Sequence, residues 1–372
     1  MNPKKIRALV VDDSSVVRHA ISYALKRDPE IEVVGTAADP YDARDKILSL
    51  NPDVLTLDIE MPRMDGLTFL RILQQHRPLP VVIVSSLTQA GSRAALDALE
   101  AGAVDVIAKP TSAWGIGDLG AQLCQRVKGA AVASLRRPFA GNAAPQPPSL
   151  AGSARFNPRQ IILLGASTGG TEALKFLLTR LPDGLPGICV VQHIPPVFSR
   201  TFAERLNEVC AFEVREAVSG DEIRPGLALI APGDYHMMII SDNSRYRVVL
   251  NQGPAVHYTR PAVDMLFNSA ATCAGRHAVA GLLTGMGSDG AQGMKNIQAE
   301  GAATFAQNEA TCVVYGMPRA AVELGAADQV LPLDEIPEAL VRSVLSQNGN
   351  DDSTGSRAFS SSQPKSTHSI NP

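Results

Sequence analysis

Short aliphatic runs recur along this chain, each ending in a small or acidic residue and followed by a segment with apolar positions three and four apart. IRALVV, IEVVGTA, DVLTLD, VVIVSS and VDVIAKP fill the first third, and IILLGA, GICVVQ and HAVAGLL come later. Between the first two, SSVVRHAISYALKR has apolar residues at 16, 17, 20, 21, 24 and 25, the stripe of a helix with Ser14 or Ser15 as its N-cap. Strands that are aliphatic throughout must be covered on both faces, so strands alternating with such helices predict α/β architecture with doubly wound parallel sheets.

Two series of this kind, in a chain of 372 residues, predict two domains. They are separated by GAAVASLRRPFAGNAAPQPPSLAGSARFNP, whose Ala, Gly, Pro and Ser cannot bury a core. The expected boundaries are 1–128 for a (βα)5 unit, 129–158 for a linker, 159–347 for a second, Rossmann-like unit and 348–372 for a disordered polar tail. No acidic residue falls between Asp118 and Glu172, while Arg126, Lys128, Arg136, Arg137, Arg155 and Arg159 do. Six charges over so long a span read as a solvated segment, and a formal net charge of −3 gives no reason to expect a nucleic-acid partner. The five cysteines form no C-x-x-C pair, which suits reduced thiols and a cytoplasmic setting. No apolar run nears the ~18 residues of a membrane span, and the N-terminus lacks the apolar core of a signal peptide, so no membrane insertion is expected.

In a doubly wound sheet the ligand site lies at the carboxyl ends of the strands. In the first unit those ends carry Asp12 and Asp13, Asp58, Ser85 and Ser86, and Lys109. Converging carboxylates repel unless a divalent cation such as Mg²⁺ neutralises them, and a cation beside a lysine suits a phosphoryl group. On these residues the unit resembles the receiver domain of two-component response regulators. The resemblance implies that Asp12, Asp13 and Asp58 bind Mg²⁺, that Asp58 accepts phosphate from a histidine kinase, and that Ser85 and Lys109 contact the phosphoryl group. Lys109-Pro110 matches the family's Lys-Pro, often a cis bond. Val106 departs from the family, standing where many receivers carry a switching aromatic, so signalling is expected to run through the domain surface.

The second unit opens with IILLGASTGGT, read as strand, tight turn and helix. The turn should present Ser167 to solvent. Gly165, Ser167 and Gly169 satisfy G-x-S-x-G, the pattern of a nucleophile elbow; the alternative is a glycine-rich loop that holds a phosphate at a helix N-terminus. His193 at the end of GICVVQH and Asp289 in the loop after LLTG also fall at carboxyl ends of candidate strands, so hydroxyl, imidazole and carboxylate could meet as nucleophile, base and orienting acid. The order Ser…His…Asp, with no HGGG-like loop, is not that of α/β-hydrolases.

GASTGGTEAL, QHIPPVFSRTFAERL, APGDYHM, HYTRPAVDMLF, LTGMGSDGAQGM and NEATCVVYGMPRAA resemble the methylesterase domain of the CheB family. With the receiver before it, the resemblance covers residues 5–345. It implies a Ser167, His193 and Asp289 triad, with backbone N–H groups of Gly285, Met286 and Gly287 facing the oxyanion, Met286 foremost; one such donor is worth ~3 kcal/mol. Family members often have Asn where Ser288 stands. His236 is the rival histidine, read as structural or substrate-contacting, and Arg260, Pro261 and Asp264 are expected to shape the groove. The implied activity is phosphorylation-controlled removal of methyl esters from glutamates on the cytoplasmic helices of methyl-accepting chemoreceptors, with deamidation of glutamines and no cofactor for the ester chemistry. A receiver-regulated DNA-binding factor would need a short basic helical output. A non-catalytic adaptor would not need the three residues.

Overall fold

The computed structural model describes residues 4–109, 116–135, 156–157, 159–243 and 245–355. In the first unit β1 (Ile6–Val11), β2 (Ile31–Ala37), β3 (Val54–Asp58), β4 (Val81–Ser85) and β5 (Asp105–Ala108) alternate with α1 (Ser15–Lys26), α2 (Pro40–Leu50), α3 (Gly66–His76), α4 (Gln89–Glu100) and α5 (Ile116–Ala131). The strands pair in parallel in the order β2-β1-β3-β4-β5, so the chain reverses direction between β1 and β3. That switch point is where Asp12 and Asp58 emerge side by side. All five residues of β3 are buried, and each fully buried leucine there contributes about 1.5–3 kcal/mol. Ser14 caps α1 by accepting from Val17 N–H, and Asn51 closes α2 in the left-handed region, at φ 46, which asparagine tolerates.

The second unit runs β6 (Ile161–Ala166), α6 (Gly170–Leu178), β7 (Ile188–Gln192), α7 (Phe198–Val209), β8 (Glu213–Glu216), β9 (Glu222–Ile223), β10 (Leu227–Ile230), β11 (His236–Asp242), β12 (Arg245–Asn251) and α8 (Val263–Cys273). It continues through β13 (Ala278–Leu282), α9 (Ala291–Ala299), β14 (Ala303–Gln307), α10 (Met317–Glu323), β15 (Gln329–Leu331) and α11 (Ile336–Gly355). Seven strands form a parallel sheet in the order β15-β14-β13-β6-β7-β10-β8. The chain builds outward from β6 on one side, then returns to lay β13 on the other, so the β6/β13 crevice is its switch point. β11 and β12 form an antiparallel hairpin that β9 extends into a small three-stranded sheet, whereas β10 joins the main sheet.

Two expected boundaries shift. Helix α5 runs through 129 to Ala131 because Val127 and Ala130 are buried against the first sheet, and the alanines that looked like linker are strong helix formers. Past it, Ser134 N–H donates to Val313 O in the second unit. Helix α11, anchored by buried Ile336, Leu340 and Val344, continues beyond Gln347 to Gly355. Pro110, most of the expected linker and residues 356–372 of the expected tail lie outside the described residues.

The units pack together. α4 lies against α7, one apolar cluster joins Leu96 and Leu99 to Phe202 and Leu206, and Arg205–Asp97 (2.5 Å) and Lys175–Glu100 (2.7 Å) ion pairs flank it. No helix of the described residues is long and apolar enough to cross a membrane. All five cysteines are free.

Candidate active site

At the β6/β13 crevice three strand ends bring their side chains together. His193 Nδ1 lies 3.1 Å from Ser167 Oγ, and His193 Nε2 lies 2.7 Å from Asp289 Oδ2. A carboxylate only accepts, so the imidazole proton resides on Nε2 and the Nδ1 lone pair faces the hydroxyl. The ring is thus turned over relative to the usual serine triad, in which Nε2 meets the serine.

Asp289 does a second job. Its Oδ2 accepts from Val263 N–H at 2.7 Å and its Oδ1 from Asp264 N–H at 3.0 Å, the first two amides of α8. Ala262, the N-cap of α8, has no side chain to do this, so the carboxylate caps the helix from across the fold. Burial pushes the Asp289 carboxyl up, but the His193 and backbone hydrogen bonds prevail and hold it below the usual carboxylate range.

The glycines beside Ser167 have separate reasons. Gly169 sits at φ 76, and a Cβ there would strike Val313. Gly285 packs against the Ser167 side chain, but its N–H is spent on Val314 O at 3.0 Å, which removes it from the expected oxyanion donors. The N–H groups of Met286 and Gly287 make no hydrogen bond among the described residues, nor does that of Thr168, which the sequence reading passed over. A residue directly after a nucleophile is a usual oxyanion donor.

Ser167 is on the expected turn, yet it is 6% exposed, contrary to the expectation of an open position. The reason is the other domain. Gln122, Gln125 and Arg126 of α5 form one wall of a cavity of about 110 Å³ whose other walls are Ser167, Thr168, His193, His257 to Thr259 and Met286 to Asp289. Arg126 donates to His193 O at 3.0 Å and pairs with buried Asp105, which accepts from Thr168 Oγ1 at 2.5 Å. Gln122 donates to Tyr258 O at 3.0 Å. No local signal marked Asp105 or Arg126, because their partners in the other domain, Thr168 and His193, lie more than sixty residues away.

His236 is buried with both ring nitrogens committed, Nδ1 accepting from Ala262 N–H and Nε2 paired with Pro254 O. It fastens the 254–262 loop. Arg260 does likewise through Asp234, Gln252 O and Gly253 O, and a cis bond joins it to Pro261. Asp264 accepts from Gly293 N–H and pairs with His257 at 3.0 Å. Ser288 adjoins Asp289 in the cavity wall.

In the first unit Asp12, Asp13 and Asp58 bring carboxylate oxygens within 4.8 Å of one another. Lys109 Nζ pairs with Asp58 at 2.7 Å and Asp12 at 3.2 Å, yet the buried Oδ2 atoms of both lack a well-directed hydrogen bond. Two buried carboxylates and a third, exposed one, balanced by a single lysine, suit a hard divalent cation. Burial pushes the Asp58 carboxyl up to about 6; Asp12 adds to this and Lys109 opposes it. Ser85 Oγ donates to Gly91 O at 3.2 Å, and buried Val106 packs into the apolar cluster.

A parallel sheet with an acidic pocket, set over a second parallel sheet that gathers hydroxyl, imidazole and carboxylate at its switch point, defines a response regulator with a hydrolase output domain. Comparison with known proteins is specific. Residues 8–116 match the response regulator receiver domain family and residues 162–340 the CheB methylesterase family. The chain is 52% identical over 342 residues to protein-glutamate methylesterase/protein-glutamine glutaminase 2 of Syntrophus aciditrophicus, covering 91% of this chain and 99% of that protein. It is also 52% identical to the protein of the same description from Pseudomonas aeruginosa, over 91% and 96% of the two. The Thermotoga maritima CheB methylesterase catalytic domain covers 49% of this chain and 97% of its own at 39% identity, with a TM-score of 0.48. The chain belongs to the CheB family of protein-glutamate methylesterases.

Proposed function

We propose that this chain is a phosphorylation-regulated hydrolase that removes methyl esters from glutamate side chains on the cytoplasmic helices of methyl-accepting chemoreceptors, and deamidates glutamines there by the same route. The observation that carries the reading is the Ser167–His193–Asp289 contact at 3.1 and 2.7 Å. Ser167 Oγ attacks the ester carbonyl while His193 Nδ1 takes its proton; the same proton leaves with methanol, and water resolves the acyl-enzyme to free glutamate. Asp289 holds the imidazole tautomer and balances the imidazolium. Met286, Gly287 and Thr168 supply N–H groups to the oxyanion, each worth ~3 kcal/mol in the transition state.

The receiver, which runs to the end of α5 at Ala131, controls access to the esterase that follows from residue 159. With Arg126 and Asp105 in place the cavity is too small for a receptor helix, so the described arrangement is the inhibited one. Asp58 accepts a phosphoryl group from a chemosensory histidine kinase in the cytoplasm. Asp12, Asp13 and Asp58 hold Mg²⁺, which when bound offsets carboxylate and phosphoryl charge, and Ser85 and Lys109 contact the phosphoryl oxygens. The ester chemistry needs no cofactor beyond the triad.

Methanol release from methylated receptor membranes, with and without acetyl phosphate, tests both halves. Ser167→Ala should lose at least a thousandfold in rate, the order expected for a triad nucleophile. Equal rates in wild type and Ser167→Ala would overturn the esterase reading. A response to acetyl phosphate that survives Asp58→Asn would overturn the switching reading.

A further inference from the structure

Gln192, the last residue of β7, is 2% exposed and has no part in the reaction just described. Its Nε2 donates to Ser167 O at 2.9 Å and to His193 O at 3.3 Å. One carboxamide therefore ties the backbone of the attacking serine to that of its base, across the ends of adjacent strands whose register sets Gln192 opposite Ala166. The task needs two hydrogens on one nitrogen, which among uncharged side chains of this reach only glutamine supplies. The partners also fix the amide's orientation, since turning it over would put Oε1 against two carbonyl oxygens.

Oε1 itself has no hydrogen-bond partner among the described residues. It points at Gly170, where a Cβ would overlap it. Gly170 begins α6 and has no left-handed backbone to require glycine. A Cβ there would also lie 2.7 Å from Ala166 Cβ, so the amide makes the tighter of the two contacts that keep this position glycine. The receiver reaches the same point, because Arg126 donates to the His193 carbonyl that Gln192 holds.

We propose that Gln192 is a positioning residue of the esterase: its carboxamide sets the spacing of Ser167 and His193, and Gly170 is the glycine that makes room for it. The proposal rests on the reading of Ser167 and His193 as nucleophile and base. A misplacement of either by an ångström lowers turnover without touching the groove that binds the receptor helix.

The test compares kcat and KM for methanol release by the full chain with saturating acetyl phosphate, in wild type, Ser167→Ala, Gln192→Ala, Gly170→Ala and the Gly170→Ala/Gln192→Ala double variant. Gln192→Ala should lower kcat by more than about fivefold and leave KM within about twofold. Gly170→Ala should lower kcat comparably, and its cost should shrink by at least about twofold in the Gln192→Ala background, where the methyl meets only Ala166 Cβ. A smaller loss in Gln192→Ala, a loss carried by KM, or the same Gly170→Ala factor in both backgrounds overturns the proposal. If Gln192→Ala does not fold, the isosteric Gln192→Glu replaces it: at about pH 8 its carboxylate faces two carbonyl oxygens, and kcat should fall by the same criterion. An inactive Ser167→Ala with an unaffected Gln192 variant rejects this inference alone, whereas an active Ser167→Ala rejects the reading beneath it.

Discussion

Asp58 is a carboxyl that the fold holds at a disadvantage. It is buried beside Asp12, and its pKa is raised to about 6 from an unfolded value near 3.8. A folded pKa above the unfolded one means that the charged form costs stability above about pH 6, and that the cost fades as pH falls from there towards the unfolded value. Asp58→Asn should therefore raise the melting temperature at pH 8, with the gain shrinking as pH is lowered to 5, as read by calorimetry. A gain independent of pH would contradict this account. Mg²⁺ should raise the melting temperature of the wild type and have less effect on the variant, because a ligand bound only to the folded state stabilises it by mass action. Asp289 is the opposite case, a buried carboxyl held low by His193 and by the two α8 amides that its oxygens serve.

Helix α5 carries the contact between the domains that reaches deepest. Arg126 is paired with Asp105, which is 4% exposed, and replacing the arginine leaves that carboxylate buried without its partner. A buried, unpaired charge is relieved when the domains part and water enters, so the change favours the open form. Arg126→Gln should raise methanol release in the absence of phosphodonor by about tenfold, a bias of ~1.4 kcal/mol, and reduce the further gain on phosphorylation. Unchanged basal release would show that α5 does not hold the site closed. The (βα)5 reading implied a fifth helix before 128, but the alanine-rich end of α5 looked like linker, because composition does not show that Val127 and Ala130 have a sheet beneath them.

Across the whole molecule α4 runs from the acidic pocket of the first unit, which it meets through Ser85, to the seam with α7 of the second. Ser85 Oγ holds Gly91 O in the first turn of α4, so drawing the serine towards a phosphoryl group on Asp58 would break a hydrogen bond in the helix that meets α7. No aromatic rotamer is needed, which fits Val106 at that position. The Arg205–Asp97 pair on this seam is partly exposed and worth at most about 1 kcal/mol. Asp97→Arg should accordingly raise basal methanol release by about two- to fivefold, and Arg205→Asp in the same chain should return it towards the wild-type value. Failure of the second change to compensate would assign the effect to something other than this pair.

The alternation of aliphatic runs with amphipathic segments determined both parallel sheets, because local periodicity reports which faces must be buried. It also put Ser167, His193, Asp12, Asp58 and Lys109 at strand ends, since each directly follows or ends a readable strand, and Asp289 in the glycine loop beyond one. Only the tertiary structure decided that Gly285 spends its N–H on Val314, that Asp289 caps α8, and that the imidazole meets Ser167 through Nδ1. It alone brought Asp105, Arg126 and Gln192 to the triad. Hydrogen-bond partners far apart in the chain leave no periodic trace, and the burial of Ser167 depends on a second domain that no local pattern can orient.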